Sequence, residues 1–155
     1  MYQLEVKRWL VAHRFLPSEG WKVYVDIDAM ERANGGEHKP DKAVRAKAAE
    51  DALVVLGALI GAHPKYGRAD IVAEHPTFGT YVVEVEGSSS RQREQAVYSA
   101  LGQLVLQMQG DECCFLLAAP DDESWETQLR KIPAHAKDTL GLKCLLVSER
   151  GVKEI

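Results

Sequence analysis

Apolar residues fall into two rhythms along this chain. Val6, Trp9 and Leu10 recur at helical spacing within residues 2–14, before Pro17 and Gly20 close that element. Strict alternation follows: Trp21, Val23, Val25, Ile27 and Ala29 share one side, with Lys22, Tyr24, Asp26 and Asp28 between them. That pattern predicts a strand with one buried face. The polar stretch Glu31–Lys42 leads into a helix of about 18 residues whose expected buried stripe is Val44, Ala48, Ala52, Val55, Leu56 and Leu59. The turns HPKYG and HPTFG bracket a strand over roughly Arg68–Glu74, and a further strand runs over Thr80–Glu86. After the loop GSSS, Ser89 and Gln92 form a capping box for a long helix that Gly110 stops. Its apolar stripe is Val97, Ala100, Leu101, Leu104, Val105 and Met108. A strand at Cys113–Ala118, a helix from about Ser124 that Pro133 interrupts, and a strand at Lys143–Ser148 complete the chain. The order α-β-α-β-β-α-β-α-β describes one α/β domain over residues 1–155, a mixed sheet flanked by helices.

Composition narrows the functional classes. With 46% hydrophobic residues the chain has the material for a core, which excludes a disordered tail or a disulfide-stapled miniprotein. A net charge of −4 excludes a protein whose nucleic-acid binding is legible in overall charge, so any such claim rests on local features. The three cysteines are an odd count without a C-x-x-C pair. Cys113, Cys114 and Cys144 sit in apolar runs and read as buried thiols of a cytoplasmic protein. The longest apolar stretch, Ala52–Ala62, is about half the length that crosses a bilayer, and Glu5, Lys7 and Arg8 interrupt any secretory core. No membrane partner is expected.

The candidate chemistry lies in the hairpin of residues 68–86. With His75–Gly79 as its turn, Glu74 pairs with Thr80, Val72 with Val82 and Asp70 with Glu84, and Arg68 falls opposite Glu86. Side chains repeat every two residues, so Asp70, Glu84 and Glu86 share a face. Carboxylates directly opposed on a sheet repel. A bound divalent cation, a raised pKa or a basic neighbour must offset that repulsion. A hard cation such as Mg²⁺, with Mn²⁺ as a substitute, takes oxygen ligands of the kind that Asp70, Glu84 and the Val85 carbonyl supply. Two plainer readings stay open. In one, Glu84 and Glu86 form the wet face of a half-exposed strand; in the other, a four-residue turn sends Asp70 and Glu84 to opposite faces.

Together the element order and these acids resemble the PD-(D/E)XK nuclease superfamily, the restriction-endonuclease-like fold. In that family an N-terminal helix leads into a three-strand meander, then a helix and a further strand. A metal-binding Asp opens the second strand, and (D/E)-x-K lies on the third. The matching segments are RADIVAE (Arg68–Glu74) and YVVEVEG (Tyr81–Gly87), followed by RQREQAVYSALGQLVLQM. Ala69 stands where the family name has Pro, and Glu86 where the family usually has Lys, giving an E-x-E variant. A whole helix also intervenes between the first two meander strands, where many members insert little. The resemblance implies a Mg²⁺-dependent nuclease, an endonuclease on double-stranded DNA, with Asp70, Glu84 and Val85 as metal ligands. Glu86 would act as base or second-metal ligand and Gln95 as a helix-borne contributor, with Ser99 and Gln103 on the same face. Glu5 matches an extra acid of some members. Cutting both strands of a duplex makes a homodimer the expected assembly. The competing implication is a nuclease-fold module that lost catalysis with its lysine and binds nucleic acid or a protein partner.

Phosphate contacts require cations and free backbone N–H groups. Arg68, Arg91 and Arg93 with Ser88 and Ser89 are the candidates, at a loop that opens a helix. His38, Lys39, Lys42, Arg45 and Lys47 are either a second contact or a solvated helix face. His13, His63, His75 and His135 show no ligand spacing and read as ordinary surface or turn residues.

Overall fold

The computed structural model describes residues 1–88, 92–110 and 112–155. Helix α1 (Gln3–Arg14) precedes strand β1 (Lys22–Val25), a single-turn helix α2 (Ala29–Arg32), helix α3 (Lys42–Leu56) and a two-residue strand β2 (Leu59–Ile60). Strands β3 (Ile71–His75) and β4 (Gly79–Val85) follow, then helix α4 (Arg93–Gln107) and strand β5 (Cys113–Pro120). Helices α5 (Glu123–Leu129) and α6 (Ala134–Leu140) and strands β6 (Leu142–Ser148) and β7 (Gly151–Glu154) end the chain.

All seven strands join one sheet in the order β2-β1-β3-β4-β5-β6-β7. β1, β3 and β4 form an antiparallel meander. Because α4 carries the chain back to the same end, β5 lies parallel to β4, and β6 parallel to β5. Alternate residues of the central strands feed two cores. Val83, Val85, Leu116, Ala118, Leu145 and Val147 pack beneath α1 and α3, while Val82, Phe115, Leu117, Ala119, Cys144 and Leu146 pack beneath α4 and α5. A sheet covered on both faces explains the near-continuous apolar runs CCFLLAA and LKCLLV. Cys144 is buried, Cys113 and Cys114 are half-buried, and all three are free thiols. Among the described residues no helix is long and apolar enough to cross a membrane.

The hairpin register is the one expected: Glu74 faces Thr80, Val72 faces Val82 and His75 faces Gly79. Both flanking turns use their histidine alike. Nδ1 of His63 accepts from the amides of Lys65 and Tyr66, and Nδ1 of His75 from those of Thr77 and Phe78. These rings are turn-builders, as anticipated, and the bonds leave each Nε2 as the proton carrier.

Three departures have local causes. Ala29 begins α2 instead of extending β1, because Asp28 accepts from the Glu31 amide while Glu31 accepts from that of Asp28. This D-x-x-E exchange is a capping box. Strands β2 and β7 add short edges beyond the expected order. The third departure reverses a helix face: α3 buries Ala46, Ala49 and Leu53, leaving Val44 74% and Val55 87% exposed. Small residues at the inward positions let α3 lie close against α1, which the bulkier stripe does not permit.

Candidate functional site

The site stands at the open end of the sheet, where β1 and β4 finish and β3 begins. The β3–β4 ladder reaches Ile71 and Val83, and one further step sets Asp70 against Glu84. Asp70 is held from several directions. Its carbonyl accepts from the Asp26 amide at 2.9 Å, which ties it to the end of β1. Its Oδ2 accepts from the Val85 amide at 2.8 Å, which ties it to β4. Gln3 of α1 donates to both carboxylate oxygens, at 3.3 and 3.4 Å.

Lys7 completes the cluster. It lies inside α1 at 0% exposure, with Nζ 2.7 Å from Asp70 Oδ1 and 2.8 Å from Glu31 Oε1, and it donates to the Asp26 carbonyl at 2.6 Å. Burial alone pulls an ammonium toward the neutral form. The charges of Asp70 and Glu31 more than offset that, so Lys7 titrates above its ordinary value and stays charged. Burial pushes the Glu31 carboxyl upward, against the pull of Lys7.

Glu84 is only 3% exposed, which overturns the wet-face reading of the E-x-E strand. Burial, reinforced by the charge and hydrogen bond of Asp70, pushes its carboxyl up to about 9. The Glu84 carboxyl is therefore held toward its protonated form. Its Oε1 is buried and has no hydrogen-bond partner among the described residues. A raised pKa and a basic neighbour thus offset the opposed carboxylates here. Arg68, Glu86 and Gln103 line the remaining wall of this polar cleft, of about 290 Å³.

A close approach makes the arrangement possible. A Cβ on Gly87 would stand 2.3 Å from the backbone nitrogen of Gln3, so only glycine lets the end of β4 touch the first turn of α1. That contact carries Gln3 and Lys7 over the acids.

Several expected contributors lie elsewhere. Gln95 is exposed and does not line the cleft; Gln103, two turns further along α4, does. Arg93 donates to Ser124 Oγ and lies over the Trp125 ring, 5.6 Å from its centroid, so its guanidinium serves the α4–α5 contact and not the cleft. Ser88 donates its amide to the Met1 carbonyl and accepts from the Met1 ammonium, so it secures the start of α1 instead of presenting a free anion site. Ser89 and Arg91, and with Ser89 the expected capping box, lie outside the described residues. Glu5 is claimed by Arg45, with contacts of 2.7 and 2.8 Å, and is not part of the acid cluster. In the basic run, Arg45 also pairs with Asp41 and Lys47 pairs with Asp51, as a solvated helix face does.

Among the described residues no trio of His, Cys, Asp or Glu side chains forms a ready-made metal cage. The donor chemistry nevertheless fits a hard cation. Asp70, Glu84 and the Val85 carbonyl are all oxygen donors, and Glu84 Oε1 is buried without a hydrogen-bond partner among the described residues. Sequence reading missed Lys7, although a signal was present. Leu4, Lys7 and Val11 fall at i, i+3 and i+7, which places the lysine on the inward stripe of its helix. Searches against family models, curated proteins and solved structures find no match for this chain.

Proposed function

We propose that this chain is a divalent-metal-dependent nuclease of the restriction-endonuclease-like type, hydrolysing DNA phosphodiesters. The observation that carries this reading is Glu84, buried beside Asp70 at the wall of a polar cleft, with one carboxyl oxygen that finds no hydrogen-bond partner among the described residues. The meander joined through α4 to a parallel strand supports it, since that stretch of the element order carried the resemblance, with β2 and β7 added at the edges. Asp70, Glu84 and the Val85 carbonyl would hold Mg²⁺ or Mn²⁺. When bound, such an ion polarises a phosphate and lowers the pKa of a coordinated water.

The protein's own groups do the rest. Glu84 would have to be deprotonated to hold a cation. Lys7, fixed by Asp70 and Glu31, supplies the ammonium that position 86 lacks. Glu86, half-buried at the cleft wall, accepts the proton of the attacking water. Arg68, exposed at the mouth, holds the phosphate from outside. Free thiols suit a cytoplasmic setting.

Incubation of DNA with Mg²⁺ or Mn²⁺ tests this. Wild type is expected to cut, and Glu84→Ala to lose about a hundredfold or more of the rate. Equal cleavage by both, or none by either at high protein concentration, overturns catalysis. A second reading is favoured by one observation: Lys7 already neutralises Asp70 and Glu31, so the fold can stand as a non-catalytic nucleic-acid-binding module. That reading predicts no rise in Tm with Mg²⁺ or Mn²⁺.

A further inference from the structure

A second cavity of about 340 Å³ adjoins the acid cleft: the two share Gln3, Asp28 and Glu31 in their walls and lie side by side as a groove around the first turn of α1. The surface changes character along it. Tyr2 and Met30 bring apolar area, Asn34 a carboxamide, and Lys39 and Lys42 two ammonium groups. Met30 is 72% exposed, an apolar side chain standing in water beside a charged cleft.

The groove is built, not incidental. Lys42 donates to the Met30 carbonyl at 2.6 Å, which clamps α2 to the start of α3. Between them the chain folds tightly on itself: a Cβ on Gly35 would meet the Lys39 Cβ at 2.2 Å and the Lys39 carbonyl at 2.8 Å. The acids of the shared floor are already engaged. Asp28 caps α2, and Glu31 is taken up by Lys7 and the Asp28 amide. The far cavity is thus lined by two lysines, an amide and apolar surface, next to the acids of the cleft.

A nucleotide adjoining the reacting phosphate has this make-up. Its base would lie on Met30 and Tyr2, Asn34 would meet a base edge, and Lys39 with Lys42 would meet the next phosphate. A base can enter such a cavity only when it is out of the stack, and an intact duplex keeps its bases inside. Resting on the nuclease reading of the acids, we infer that this groove receives an unpaired nucleotide beside the phosphate to be cut. The favoured substrate is then single-stranded DNA, or the single-stranded arm of a junction, over an uninterrupted duplex.

Fluorescence anisotropy tests this with the full chain in EDTA, where nothing is cut. A short labelled oligonucleotide is compared with its blunt duplex at one salt concentration. The single strand is expected to bind about tenfold or more tightly than the duplex. Met30→Ala with Lys39→Ala, and separately Asn34→Ala, each melting cooperatively, are expected to weaken strand binding and leave duplex binding unchanged. Lys47→Ala, on the outer face of α3, leaves both unchanged. Equal or tighter binding of the duplex, or no effect of the groove variants, overturns the inference. If Glu84→Ala abolishes metal-dependent cleavage while the groove variants bind normally, the groove is refuted and the nuclease reading stands. Selective strand binding by a wild type that cuts neither strand nor duplex supports the groove and refutes the nuclease reading.

Discussion

Two regions of this molecule use the same chemical pairing with opposite consequences. On the outer face of α3, Lys47 and Asp51 sit four residues apart, 3.0 Å between charges, with most of both side chains in water. At the sheet end, Lys7 meets Asp70 at 2.7 Å with no exposed surface of its own. The distances differ little. Water screens the first pair almost completely, whereas the second has exchanged hydration for its partners and cannot recover if one is lost. The contrast shows that burial, not proximity, separates the two pairs.

Removing a partner should expose that contrast most sharply. Lys7→Ala leaves Asp70 and Glu31 facing each other without a counter-ion, and is expected to cost about 3–5 kcal/mol in chemical denaturation. A loss no larger than that of a surface lysine would place Lys7 among the bystanders. An intermediate effect is expected from pH. The Glu84 carboxyl, raised to about 9, holds a proton in the folded state that the unfolded chain releases near its ordinary value. That contribution is fully present at pH 4 and drains away as pH climbs toward 9, so Tm should fall across this window. Glu84→Gln should flatten the fall and melt above wild type at pH 9; parallel curves for the two proteins would contradict this. The smallest effect belongs to the surface pair. Lys47→Ala should leave Tm within about 2 °C of wild type.

The framework around these regions was largely legible in the chain, and the exceptions are physical. The five-residue turn His75–Gly79 fixed the hairpin register, and with it the meeting of Asp70 and Glu84, because both strands alternate around it without a bulge. α3 was legible as a helix but not in its facing. Val44, Ala48, Ala52 and Val55 make one plausible stripe and Ala46, Ala49 and Leu53 another, and only the close packing on α1 chooses between them. Lys7 escaped notice because a lysine near an N-terminus reads as a solvated charge until its partners, distant in sequence, are known. The same remoteness hid Gln3: it reaches Asp70 only because Gly87 admits the first turn of α1. Arg93 and Ser88 are bonded to Ser124 and Met1, partners too far along the chain to be read from the sequence.

Under the proposed function, the buried acids would hold a cation only after Glu84 had lost its proton. Calorimetric titration of Mn²⁺ at pH 7, in buffers of different ionisation enthalpy, measures both binding and proton release at once. Wild type should bind with release of about one proton, and Glu84→Gln should lose both the affinity and the release. Titrations that show no binding at millimolar Mn²⁺, or binding that Glu84→Gln leaves unchanged, would contradict the account.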